Sequence, residues 1–176
     1  MRAQVGSVQS RPPTGRYSYR AKEPVRPEAA DDQEHAKLTR ALAAHRQLLS
    51  HAASAIRNLT AARNELIAQA IEDGLPVGTV AAVAGENIKA VRTIALAYEE
   101  LYPSGLPRQA HLSPLRAKSE ELRTAEAHRD QILGRREALI LMARRKQVCD
   151  DLELASLTGL TPDHIRRTVR GNPRSS

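Results

Sequence analysis

The 176-residue chain carries 27 Lys and Arg against 20 Asp and Glu, a net charge of +7, and contains neither Phe nor Trp. Its core must therefore be assembled from Ala, Leu, Ile and Val, which suits closely packed helices and points to an all-α fold. The single cysteine, Cys149, excludes an intrachain disulfide and fits a reducing compartment. No run of about 18 apolar residues is present, which argues against a membrane span, and the polar N-terminus argues against a secretory leader. A cytoplasmic protein is expected.

Residues 1–30 hold Pro12, Pro13, Pro24 and Pro27 interleaved with Arg2, Arg11, Arg16, Arg20, Lys22 and Arg26, with no apolar period. This composition reads as a flexible basic arm. From about Asp31 the pattern is helical. Leu38, Ala41, His45, Leu48, Ala52, Ala55, Leu59, Ala62 and Leu66 recur at steps of three and four, and Leu42, Leu49 and Ile56 widen the stripe. The seam spans enough heptads to predict a homodimer through Leu38–Leu66; packing against residues 113–146 of the same chain is the competing arrangement. A break is possible near Asn58–Thr60, and Gly74, Pro76 and Gly78 end the segment. A short helix over Gly78–Ala84 follows, then a turn at Gly85, and then a helix from about Asn87 to Leu101.

Pro103–Pro107 reads as a linker. A second long helix is expected from Ser113 and Pro114 to about Lys146, with Leu115, Leu122, Ala125, Ile132, Leu139 and Met142 on its buried side. Asp150 and Asp151 start a short helix, Gly159 is a turn, and Thr161–Arg170 forms the last helix. The three segments are thus 1–30, 31–105 and 106–176. Charge is uneven among them: residues 106–176 hold fourteen basic and nine acidic residues, against seven and six in 36–105. A basic balance favours polyanionic partners.

A shift of 74 positions brings the two halves into register without a gap. Leu38 falls on Leu112, Leu66 on Ile140, Ile67 on Leu141, Val80 on Leu154, Ala81 on Ala155, Gly85 on Gly159 and Val91 on Ile165. The chain therefore reads as a duplicated unit of long helix, short helix, tight turn and final helix. In each copy an Ala is followed four residues on by Gly and six further on by a β-branched aliphatic residue. The small Ala admits a close crossing, the Gly supplies positive φ, and the last residue plugs the core.

These stretches, Thr79–Ile94 and Glu153–Thr168, resemble the helix-turn-helix of bacterial repressors, resolvases and sigma-factor region four. The resemblance covers 20 to 25 residues per copy and implies that the last helix of each enters the major groove of duplex DNA. The residues it would present are Asn87, Lys89, Arg92 and Thr93 in the first copy, and Thr161, His164, Arg166, Arg167 and Arg170 in the second. Thr161 suits an N-cap, Pro162 the first helical position, and Asp163 the positive helix end. Arg can pair with guanine O6 and N7 or hold phosphate. The expected function is that of a DNA-binding regulator, partition-type or nucleoid-type protein. The alternative is a helical adaptor whose long helices bind another protein.

Nothing in the sequence suggests an enzyme, a cofactor, a metal or a small-molecule ligand. Gly-rich phosphate loops, CxxC and His-Glu-x-x-His arrangements are absent. His45 and His51 are six apart, which does not place them together on a helical face. Cys149 precedes Asp150 and Asp151, whose charge disfavours a thiolate nucleophile.

Overall fold

The computed structural model describes residues 27–98 and 101–171. These form α1 (Pro27–Glu72), α2 (Val77–Ala84), α3 (Ile88–Leu96), α4 (Arg108–Arg145), α5 (Asp151–Thr158) and α6 (Pro162–Arg170). Among the described residues there is no strand, and no helix is long and apolar enough to cross a membrane. The arm expected over 1–30 lies outside them up to residue 26, and Pro27 already opens α1, a position where its missing N–H costs nothing.

The two long helices lie antiparallel. Glu34 and His35, near the start of α1, pair with Lys146 and Glu153, which flank the α4–α5 turn. At the other end Asp73, just past α1, meets His111 in the first turns of α4. α1 runs without a break through Asn58–Thr60, because α4 packs along its length. Its buried stripe is narrower than the seam read from sequence. Leu38 and Leu42 are buried and Leu49, Ile56 and Leu59 half-buried, whereas Leu48 and Ala55 face solvent. Leu38 and Leu42 are covered by the same chain, in a cluster with Ile140, Ala143, Cys149, Leu154 and Ile165.

Sequence-based limits shift where tertiary contacts intervene. α4 starts at Arg108, six residues ahead of Pro114, which sits inside the helix on its exposed side. Pro114 removes one helical hydrogen bond, but His111, Leu112 and Leu115 are buried around it and hold the turn in place. Ile140 and Ala143 are buried in α4, while Met142 is exposed to 42%. α3 stops at Leu96 rather than Leu101, because residues 102–105 are drawn onto the end of α1. Gln69 Nε2 donates to the Tyr102 carbonyl at 2.9 Å. Asp73 accepts from Ser104 N at 2.6 Å, Ser104 Oγ at 2.7 Å, Gly105 N at 3.0 Å and Gln69 Nε2 at 2.9 Å.

This clamp has a pH signature. The Ser104 hydroxyl, then Gln69, then the Gly105 and Ser104 amides favour the Asp73 carboxylate against its desolvation, and lower its pKa from 3.8 to about 2. The stability it contributes is fully present above its ordinary value and is lost as pH falls through about 2. Asp73→Asn should therefore destabilise the chain near neutral pH and flatten the loss of stability on acidification. Thermal melts of both proteins across that window measure the difference. A wild-type curve no steeper than the variant's contradicts the clamp.

The internal repeat is visible in the fold, with one amendment. α2 and α5, and α3 and α6, correspond at a shift of 74. The long helices correspond at 73. Both end with a left-handed residue, Gly74 at φ +78° and Gln147 at +58°. The same hydrogen bonds close both ends, Leu75 N to Ala70 O and Val148 N to Ala143 O. Buried Ile67 and Ala70 thus match buried Ile140 and Ala143. Pro76 and Asp150 then precede α2 and α5, so the second copy carries one extra residue between the helices. That residue is Cys149.

Each core cluster draws on both halves. One joins Ile67, Ala70, Leu75, Val80, Ala81, Ala84 and Val91 to Leu112 and Leu115 of α4. The other joins Ile140, Ala143, Cys149, Leu154 and Ile165 to Leu38 and Leu42 of α1. The exchange is reciprocal, which makes the relation between the halves an approximate two-fold.

Candidate nucleic-acid interface

α2 and α3 meet at Gly85 (φ +71°), and α5 and α6 at Gly159 (φ +73°). In both, the glycine N–H closes the preceding helix by bonding to Ala81 or Ala155, four residues back. A side chain at this φ would be strained, which is why both copies keep Gly. Val80 and Val91 are fully buried on the inner faces of the first pair, as are Leu154 and Ile165 in the second. Ala81 is buried, while Ala155 is only half-buried.

The outer face of α6 lies opposite Ile165. Thr161 is the N-cap, its Oγ1 accepting from His164 N at 3.2 Å, and Pro162 follows at the first turn. Thr161, His164, Arg166, Arg167 and Arg170 are all exposed. Arg166, Arg167, Arg170 and Asp163 line one shallow surface concavity. The arginines differ in what they touch. Arg166 pairs with Asp163 at 2.6 Å and lies 3.4 Å from Asp151, which is 3.2 Å from Arg144. This chain of charges links α6 to α5 and α4, with the Arg166 side chain half exposed. Among the described residues, the Arg167 side chain makes only a long contact, Nε to the Asp163 carbonyl at 3.4 Å.

The face of α3 is different. Asn87 uses its side-chain oxygen as the N-cap, accepting from Ala90 N at 2.8 Å. Lys89, Arg92 and Thr93 are exposed, with Thr93 Oγ1 donating to the Lys89 carbonyl at 3.0 Å. Two apolar side chains that sequence reading did not single out, Ile88 and Leu96, are exposed beside them, Leu96 to 80%. Glu86 at the turn is met by Arg63 of α1 at 2.9 Å. The equivalent of Arg63 in the second copy is Arg136, whose pKa is lowered by burial, and the position of Glu86 is held there by Leu160. The turn of the second copy therefore lacks the acid that pairs with α1 in the first.

Sequence reading also missed Arg46. It reaches from α1 to donate to the Ser156 carbonyl at 3.1 Å, against Gly159. That contact joins residues 110 apart, so no local pattern could have announced it. Arg144 and Lys146 do more than complement the end of α4, since they pair with Asp151 and Glu34. Cys149 is buried, and its thiol is pushed up to about 11 by desolvation first, then by Glu153 and Asp150. A nucleophilic thiolate is disfavoured there, as the adjacent acids suggested, though burial is the larger cause. His35 Nε2 lies 2.7 Å from Glu153 Oε1, and together with Cys149 Sγ these atoms fall within 4.8 Å of one another.

The chain matches no protein-family profile, no curated protein and no solved structure.

Proposed function

We propose that the chain binds duplex DNA through two helix-turn-helix units, α2–α3 and α5–α6, as a regulator or an organiser of DNA. The observation that carries the reading is the arginine-bearing outer face of α6, capped by Thr161 and seated on the Gly159 turn. α3 stands in the two-fold-related position at the far end of the α1–α4 hairpin. Leu42 in one cluster and Ile67 in the other are separated by about 38 Å along α1 at the α-helical rise. One turn of B-DNA is about 34–36 Å. If α3 and α6 are spaced as the two cores are, a single chain would read a two-part site with its halves somewhat more than one turn apart. The halves would differ in sequence, because α3 and α6 present different side chains.

Arg167 and Arg170 supply most of the affinity in this reading, Arg166 holds α6 in place, and Lys89 and Arg92 add selectivity. Arg167→Ala or Arg170→Ala should weaken binding by about 1–3 kcal/mol if the residue contacts a base edge. A residue acting on phosphate alone would weaken all sequences alike and flatten the salt dependence. Fluorescence anisotropy with selected and random duplexes at two salt concentrations separates these cases. Unchanged affinity on losing both arginines would rule out the second unit as the main reader. The exposed Ile88 and Leu96 favour one further role, contact of the first unit with a protein rather than with DNA.

A further inference from the structure

We propose that His35, Cys149 and Glu153 form a divalent transition-metal site, with zinc the ion their donor set fits. The three come from separate places: α1, the α4–α5 loop and the first turn of α5. Folding nevertheless gathers one imidazole nitrogen, one sulfur and one carboxylate oxygen within 4.8 Å. Sulfur with imidazole selects zinc and its neighbours over magnesium or calcium, which prefer all-oxygen shells. Zinc bond lengths imply ligand separations of about 3.3–3.8 Å in a tetrahedron. The three atoms fall within 4.8 Å, so Cys149 Sγ closes on the other two by at most about 1.5 Å, and the 2.7 Å His35–Glu153 contact opens by about 0.6 Å. Three protein ligands leave a fourth position for water. The side chains of His35 and Glu153 are 42% and 38% exposed, so that position is open to solvent, while Cys149 is buried beneath.

A second observation is independent of these distances. Cys149 is the one residue by which the α4–α5 loop exceeds the α1–α2 loop. The counterparts of His35 and Glu153 at the other end of the molecule are Arg108 and Thr79, joined by a hydrogen bond of 3.3 Å. The extra residue thus brings a thiol to the one end of the molecule where the imidazole of α1 meets the carboxylate of α5. Zinc would bind as the Cys149 thiol gives its proton to solvent, with His35 neutral, and would tie the start of α1 to α5. The competing account is a chain of hydrogen bonds, thiol to carboxylate to imidazole, that takes no ion.

The test uses the full chain, freed of metal with a chelator and titrated with Co²⁺. The expected result is a thiolate-to-cobalt charge-transfer band that saturates at one ion per chain and disappears on addition of Zn²⁺. Cys149→Ala should abolish the band, and His35→Gln, which removes a ligand, should weaken binding by more than the roughly 10–100-fold that loss of an outer-shell partner costs. Circular dichroism checks that both variants remain helical. Zn²⁺ should also raise the thermal midpoint of the wild type and leave that of Cys149→Ala unchanged. Absence of the band in the wild type, or its survival in Cys149→Ala, overturns the proposal. No DNA is present in these measurements, so their failure is distinct from failure of the DNA-binding reading.

Discussion

Expressed separately, residues 31–105 and 106–176 are expected not to fold as monomers. Each would keep its own short helices but lose the long-helix residues that close its core. The first half would be left without Leu112 and Leu115, and the second without Leu38 and Leu42, all of them buried. Fully burying a leucine is worth roughly 1.5–3 kcal/mol, and small domains have only about 5–15 kcal/mol in hand. Losing two such residues and the facing length of an entire long helix exceeds that reserve. Circular dichroism of each fragment should show weak, non-cooperative helicity, and mixing the two should restore a sharp melt. A half that melts cooperatively alone at low concentration would disprove the reciprocal core.

Leu115→Ala should cost about 3 kcal/mol, more than a hundredfold in the folding equilibrium. Leu115 is fully buried among Ile67, Val80, Val91 and their neighbours. Truncation there leaves a cavity lined by residues of three helices, α1, α2 and α3, whose positions are fixed from several sides and cannot collapse to fill it. The damage is expected to be directional. Although Leu115 belongs to the second half of the sequence, hydrogen exchange should accelerate first in α2 and α3, with α5 and α6 protected for longer. Chemical denaturation gives the magnitude and exchange gives the location. Faster exchange confined to α5 and α6 would contradict the packing.

The short helices were legible in the sequence because their signals are local. The expected Thr161 N-cap and first-turn Pro162 are present, Asp150 caps α5, and Gly85 and Gly159 adopt the left-handed geometry the turn requires. All nine side chains proposed to meet DNA prove to be exposed. What the sequence concealed is long-range. Heptad spacing in α1 shows that a partner exists but does not say whether it is α4 or another chain. Pro114 is a local stop signal overruled by the burial of His111, Leu112 and Leu115 around it. The one-residue offset between 73 and 74 was invisible in a gapless alignment of two Ala- and Leu-rich helices, where neighbouring aliphatics substitute for each other. With that offset hidden, Cys149 had no distinct position. Its encounter with His35 and Glu153, more than a hundred residues away for His35, could not be read.

The reciprocal core also means that two chains could satisfy the same contacts by exchanging halves, each lending its α1 to the other's α4. The closed and exchanged forms would bury identical surfaces, so the choice between them falls to the connection spanning residues 97–107. Asp73 fastens that connection to the end of α1 through Ser104 and Gly105. A tether held so short keeps the chain's own α4 at an effective concentration in the millimolar range or above. Self-closure is therefore expected to outcompete a free second chain, which light scattering across micromolar concentrations measures. The Asp73 carboxylate is thus expected to act as a selector of connectivity, and Asp73→Asn to raise the share of exchanged dimer.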